Sequence, residues 1–148
     1  MDVLYGWGVL LSTVININAK NIIYSQYSFG ESIANYYVGF GNRQLDAVYD
    51  PGLDKMTKKF IQGGFSTYTH IFNPAWRFSF TGGLSFLEGL DFESPDTFRS
   101  SRYMAANFFY YPIETIDIGI ELTTGSRKNL DYQEGSATRI SLLGSFSF

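Results

Sequence analysis

Alternation with a period of two runs through most of this chain and is cleanest at its C-terminal end. Ile140, Leu142, Gly144, Phe146 and Phe148 share one parity, and Arg139, Ser141, Ser145 and Ser147 share the other, interrupted only by Leu143. Side chains of a β-strand point alternately to opposite faces, so this pattern predicts a strand with one apolar and one polar face. A long alternating strand that ends on an aromatic is how outer-membrane β-barrels usually finish, with lipid on one face and a wet lumen on the other.

Six further segments read the same way. They are predicted at about 3–17, 21–29, 60–72, 76–86, 102–111 and 114–125, followed by the last at 138–148. In the fourth, Trp76, Phe78, Phe80, Leu84 and Phe86 alternate with Arg77, Ser79, Thr81, Gly83 and Ser85. In the sixth, Ile116, Ile118, Ile120 and Leu122 alternate with Thr115, Asp117, Gly119, Glu121 and Thr123. The β-branched and aromatic content supports strands throughout.

Composition narrows the fold further. The chain has 148 residues, enough for one domain, 1–148. Its mean hydropathy of -0.07 and the lack of any run near ~20 apolar residues exclude a helical membrane protein. Aromatics reach 18 %, with 11 Tyr and 14 Phe, high for a soluble domain and ordinary for a barrel with two aromatic girdles. Cysteine is absent, which excludes disulfides and cysteine-ligated metals. A net charge of -3 argues against nucleic acid as a partner.

The connections alternate in length. Tight turns are predicted at Asn18-Ala19-Lys20, Asn73-Pro74-Ala75 and Pro112-Ile113-Glu114. Long polar loops are predicted at 30–58, 87–100 and 125–137. Short periplasmic turns and long extracellular loops are the habit of membrane barrels. Placing the C-terminus in the periplasm puts every tight turn on that side. Seven strands are an odd number, however, and an up-and-down barrel entered from the periplasm needs an even one. The expectation is therefore that these strands are the C-terminal part of a larger barrel and that residue 1 is not the natural start. Residues 1–19 lack the basic region and the unbroken apolar core of a signal peptide. A missed strand at Tyr36–Phe40 is the alternative explanation of the odd count.

Alternation does not by itself say which face is outside, because a soluble barrel shows it with apolar residues inward. Aromatics at the ends of the apolar faces (Tyr5, Trp7, Phe72, Trp76, Phe86, Tyr110, Tyr111 and Phe148) and mid-strand charges on the polar faces favour the membrane arrangement. The reading is an all-β, antiparallel, up-and-down transmembrane β-barrel in the bacterial outer membrane.

Several segments together resemble the C-terminal region of the DcaP-like outer-membrane porins. They are Gly6-Trp7-Gly8-Val9, Phe29-Gly30-Glu31-Ser32-Ile33, Asp46-Ala47-Val48-Tyr49-Asp50, and Gly63-Gly64-Phe65 with Tyr68 and His70. Ser100-Ser101-Arg102-Tyr103, Ala106-Asn107, Tyr111-Pro112, Asp117-Ile118-Gly119-Ile120-Glu121 and Gly125-Ser126-Arg127-Lys128-Asn129 follow in order. Ala137-Thr138-Arg139-Ile140 and Ser145-Phe146-Ser147-Phe148 complete the series. Two departures are the lack of a basic residue in 21–26 and the placement of Gly144. The resemblance implies a sixteen-stranded barrel that is a homotrimer at full length. It also implies passive passage of small, anionic solutes such as dicarboxylates.

Candidate functional residues follow from the faces. Arg77, Asp117, Glu121 and Arg139 are expected to line the pore, where opposed charges set a transverse field; against this, lumen positions must be polar in any case. The long loop, 30–58, exceeds a plain connection. Folded inward, it would place Glu31, Arg43, Asp46, Asp50, Lys55, Lys58 and Lys59 at a constriction; left outside, it is a solvated loop. Arg102 falls on the lipid-facing parity if Asn107 points inward, and must then sit near the rim. Asp46, Asp50 and Asp54, and the group Glu88, Asp91, Glu93 and Asp96, lack the spacing of a calcium loop, so no metal or cofactor is expected. His70 is the only histidine and has no G-x-S-x-G stretch to serve, so no enzyme is expected. Expected partners are small solutes and outer-membrane lipid or lipopolysaccharide. The competing function is a small barrel that binds a ligand or partner without transport.

Overall fold

The computed structural model describes residues 3–37 and 45–147. Among the described residues nine strands run in chain order: β1 (Trp7–Asn18), β2 (Asn21–Glu31), β3 (Ala47–Asp50), β4 (Lys55–Lys58), β5 (Phe60–Asn73), β6 (Trp76–Leu87), β7 (Phe98–Ile113), β8 (Ile116–Asn129) and β9 (Glu134–Phe146). Seven of them form one antiparallel sheet in the order β1-β2-β5-β6-β7-β8-β9. This is an up-and-down meander interrupted only by the β3–β4 hairpin, a separate two-stranded unit. The sheet strands are 11 to 16 residues long, enough to cross a bilayer core at a tilt.

The register fixes which residues share a face. Ile15, Ile23, Tyr68, Phe80, Ala106, Leu122 and Ile140 pair in one continuous row across the sheet. Rows of the same parity hold Phe78, Phe108, Ile120 and Leu142. The opposite face carries Thr67, Thr81, Ala105, Thr123 and Arg139 in one row. These apolar side chains are largely exposed, with Leu142 at 84 % and Ile140 at 69 %. Among the described residues their ring contacts are with neighbours on the same face, as Phe108 has with Trp76 and Phe72, and nothing covers that face, as expected for a surface solvated by lipid.

The turns follow their sequence chemistry. The Asn18 side chain accepts from the Lys20 amide at 2.9 Å, and Asn73 accepts from the Ala75 amide at 2.9 Å. Both are Asx-type closures that mimic a backbone turn. The third turn falls at 114–115, between β7 and β8, rather than on Pro112. Pro112 instead lies inside β7, at the register shift between Tyr110 and Ile113. Such an irregularity is where a residue with no amide hydrogen fits a strand.

Several boundaries differ from expectation, with one physical cause. β7 begins at Phe98 rather than 102, β8 continues to Asn129 rather than 125, and β9 begins at Glu134 rather than 138. Above Thr124 both faces are polar, with Ser126 and Lys128 on one and Arg127 on the other, so hydrophobic alternation stops. Backbone pairing does not stop: Ser126 still faces Ser136, and Lys128 faces Glu134. The alternation marks the apolar zone, not the whole strand. The third loop is accordingly only 130–133. At the other end, β1 begins at Trp7, four residues later than expected.

The long loop holds structure of its own. Ala34–Tyr36 is a single 3-10 turn, where the alternative reading had a strand start, and residues 38–40 of that reading lie outside the described residues. The β3–β4 hairpin adds two strands outside the main sheet, which has seven strands among the described residues.

Candidate functional site: the polar wall and its inward loop

The first part of the long loop folds onto the polar face. Ile61 and Leu87, both of polar-face parity, are buried with Ala34 and Phe98, and Ile33, Tyr37 and Leu45 pack against them. Close approach is possible because Gly8 and Gly30 face each other in β1 and β2. A Cβ on Gly30 would meet the Trp7 carbonyl at 2.1 Å and the Ile33 Cδ1 at 2.9 Å. The Tyr37 hydroxyl donates to the Ser28 carbonyl at 2.7 Å, and the Ser28 hydroxyl donates to Tyr37 at 2.7 Å. Burial, partly offset by the Ser28 bond, raises the Tyr37 phenol above its ordinary pKa.

Two neighbouring loops are clamped to this segment by a buried ion pair between Lys59 and Glu93, with side chains 0 % and 5 % exposed. The Lys59 amide donates to the Asp46 carbonyl at 3.2 Å, and its carbonyl accepts from Ser32 at 3.0 Å. Glu93 also accepts from the Leu90 amide at 2.8 Å. One lysine thus ties together the 3-10 region, the hairpin and the loop at 88–97.

The candidate constriction residues sort by what they touch. Asp46 accepts from the backbone and side-chain amides of Asn35 and so pins the 3-10 turn. Asp50 accepts from Gly52 at 2.8 Å and Leu53 at 3.2 Å, closing the β3–β4 turn, and pairs in register with Lys55. In the same turn the Tyr49 hydroxyl donates to Asp54, which holds its phenol above the ordinary pKa. Glu31 stands at the end of β2 on the outward parity, between Trp7 and Phe60; it accepts from the Trp7 indole at 3.0 Å and lies 3.8 Å from Lys58. Arg43 lies outside the described residues, as does Phe148.

The four candidate pore residues all share the polar face. Arg139 reaches Glu121 at 3.3 Å across the β8–β9 pair. Arg77 lies over the rings of Phe109 and Tyr111, at 5.4 and 5.1 Å. Asp117 faces Ser145. Arg127 falls in the third loop by hydropathy, which ends the strand at Gly125, but in the structure it continues the odd-numbered series Asp117, Gly119, Glu121, Thr123, Gly125 of β8. It faces Gly135, stacks over Phe98 at 5.6 Å and donates to the Asp96 carbonyl at 3.1 Å. Among the described residues neither Arg77 nor Arg127 has a carboxylate partner.

Arg102 and Asn107 lie on opposite faces, Arg102 outward. It donates to Ser126 at 3.0 Å and pairs with Glu134 at 2.8 Å, at the upper end where the outward face turns polar. His70 is also outward; its Nδ1 sits 2.7 Å from the Asn21 side-chain oxygen and its ring stands edge-on to Phe72. No serine hydroxyl bonds it among the described residues.

Comparison with known proteins agrees with this arrangement. The family model for the DcaP outer membrane protein matches residues 3–148. The outer membrane channel DcaP of Acinetobacter baumannii superposes with a TM-score of 0.84 at 22% identity, over 97% of this chain and 41% of that one. The chain thus spans about two fifths of that channel's length. No curated protein matches the sequence. The antiparallel meander, its lipid-type outer face and the family match over residues 3–148 lead to one conclusion: this chain is an outer-membrane β-barrel sequence and belongs to the DcaP outer membrane protein family.

Proposed function

We propose that this chain forms one wall of a passive channel through which small hydrophilic solutes, anions in preference, cross the outer membrane. The observation that carries this reading is the polar face with the loop segment Ile33–Tyr37 packed onto it, a wall and a partial obstruction of one passage. Anion preference follows from the charge balance of that wall. Among the described residues of the wall, Arg139 neutralises Glu121, which leaves Arg77 and Arg127 against Asp117. A wall that presents more free cations than free anions raises the local anion concentration.

The constriction in this proposal is built from the loop backbone and its apolar contacts, with Asp46, Asp50 and Lys59 holding the loop's shape. Arg43, Lys55 and Lys58 remain candidates to meet solute, and Glu31 is a rim residue. The outward face meets membrane lipid, and the Arg102–Glu134 pair near its upper end meets lipopolysaccharide head groups. The full-length protein assembles as a homotrimer and performs no catalysis.

The test is the reversal potential under a KCl gradient across planar bilayers containing the full-length channel. Arg77→Ala with Arg127→Ala is expected to shift it toward cation selectivity, and Arg139→Ala alone, which frees Glu121, in the same direction. Reversal potentials identical to the parent in all variants would remove the arginine assignment.

A further inference from the structure

The upper part of the polar wall carries an arrangement that charge selection does not use. A cavity of about 1020 Å3 lies between the inward loop and the sheet, and among the described residues no charged side chain lines it. Val9, Leu10, Ile33 and Leu84 supply aliphatic lining. The rings include Tyr37 from the loop and Phe65 and Tyr103 from the wall, with Gln26, Ser85 and Ser101 as polar groups beside them.

The geometry of Tyr103 is specific. In register it faces Gly83 on β6 and Gly125 on β8, so neither neighbour has a side chain. A Cβ on Gly83 would lie 2.3 Å from the Tyr103 Cε1, so the ring lies over the Gly83 backbone. Its other side stays open, and the residue is 40 % exposed. On the far side of Gly83 stands Phe65, whose ring is 5.6 Å from that of Tyr24 and tilted by 59°. Three rings therefore cross the wall of β2, β5 and β7. The Tyr103 hydroxyl has no hydrogen-bond partner among the described residues. One turn of the ladder higher, the Ser85 and Ser101 hydroxyls pair at 2.9 Å and keep further donor and acceptor capacity.

Open aromatic faces beside uncharged hydroxyls match a ring with apolar C–H faces and a polar edge. We infer that this cavity is a binding station for neutral, cyclic, polyhydroxylated solutes, which stack on Tyr103 and Phe65 and hydrogen-bond to Ser85, Ser101 and the Tyr103 hydroxyl. The inference rests on the channel reading but not on its anion preference. A stacking station slows a solute at the constriction and sorts ring-shaped from linear molecules of equal charge.

The experiment uses the full-length channel in planar bilayers, with maltose as the ring probe and sorbitol as the acyclic polyol. The readout is the solute-dependent fall in KCl conductance, corrected for bulk conductivity. Maltose is expected to block saturably and sorbitol not to block. Phe65→Ala and Tyr103→Ala should each weaken the maltose block by about threefold to tenfold, the range of one lost aromatic contact. Tyr103→Phe keeps the ring and should retain most of the block, which separates loss of stacking from disturbed folding. Equal block by both solutes, or maltose block unchanged in both alanine variants, overturns the station. Absence of KCl conductance from the parent channel overturns the channel reading itself.

Discussion

Replacing Glu93 by Gln tests whether the long loop is held on the wall. The substitution keeps the shape and leaves an oxygen for the Leu90 amide, but it removes the counter-charge of Lys59, whose side chain is fully buried. Removing one member of a buried pair costs about 3–5 kcal/mol if the other stays buried. The loop has a cheaper exit, because undocking returns Lys59 to water without unfolding the barrel. About 3–5 kcal/mol placed on that local equilibrium raises the undocked population by at least roughly 100-fold. Hydrogen exchange of a peptide covering 45–62 reads it directly, since the Lys59 and Phe60 amides donate to the Asp46 carbonyl and the Glu88 carboxylate. Their exchange should accelerate by at least roughly 100-fold, while amides in the middle of β8 keep the parent rate. Lys59→Met combined with Glu93→Leu removes both charges and should restore protection to within about tenfold. Parent-like exchange in Glu93→Gln alone would refute the clamp.

Leu142→Arg places a charge on the outward face and should lower barrel stability by about 2–4 kcal/mol in refolding titrations on lipid vesicles. Ser141→Arg, one residue away on the polar face, should change stability by less than about 1 kcal/mol and alter conductance instead. Gly30→Val drives a side chain into the Trp7 carbonyl and Ile33, so it should displace the loop segment and raise single-channel conductance. Asp46→Ala leaves the Asn35 amides without their acceptor and should weaken loop docking by about 1.5–3 kcal/mol, measured by the same exchange experiment.

The strands were legible wherever one face is apolar. Trp76 to Phe86 and Ile116 to Leu122 were placed within a residue or two because lipid imposes a strict period on them. Legibility failed where lipid stops. Ser126 to Lys128 and Glu134 to Ser136 form ladder pairs with polar groups on both faces, and the backbone pairing that continues there leaves no trace in hydropathy. That is why Arg127 was read as loop. The β3–β4 hairpin escaped for a related reason: Ala47–Asp50 and Lys55–Lys58 are only four residues each and bury little. That Arg77, Asp117, Glu121 and Arg139 share the polar face was legible by parity, as was the outward position of Arg102. The ion pair of Lys59 and Glu93 was not, because 34 residues separate the partners and only the folded loops bring them together. The aromatic wall was hidden too: Phe65 and Tyr103 look like any strand aromatics until the register sets them on either side of Gly83.

The barrel reading requires that odd-numbered residues of β9 face water and even-numbered ones face lipid. The chain contains no cysteine, so each single-cysteine variant reports without background. The most direct measurement is labelling of Ile140→Cys, Ser141→Cys, Leu142→Cys and Leu143→Cys by a charged, membrane-impermeant thiol reagent in reconstituted full-length protein. Reaction is expected at 141 and 143, each with a step down in channel current, and protection at 140 and 142. Reaction at 140 and 142 with protection at 141 and 143 would contradict that reading and turn the barrel inside out.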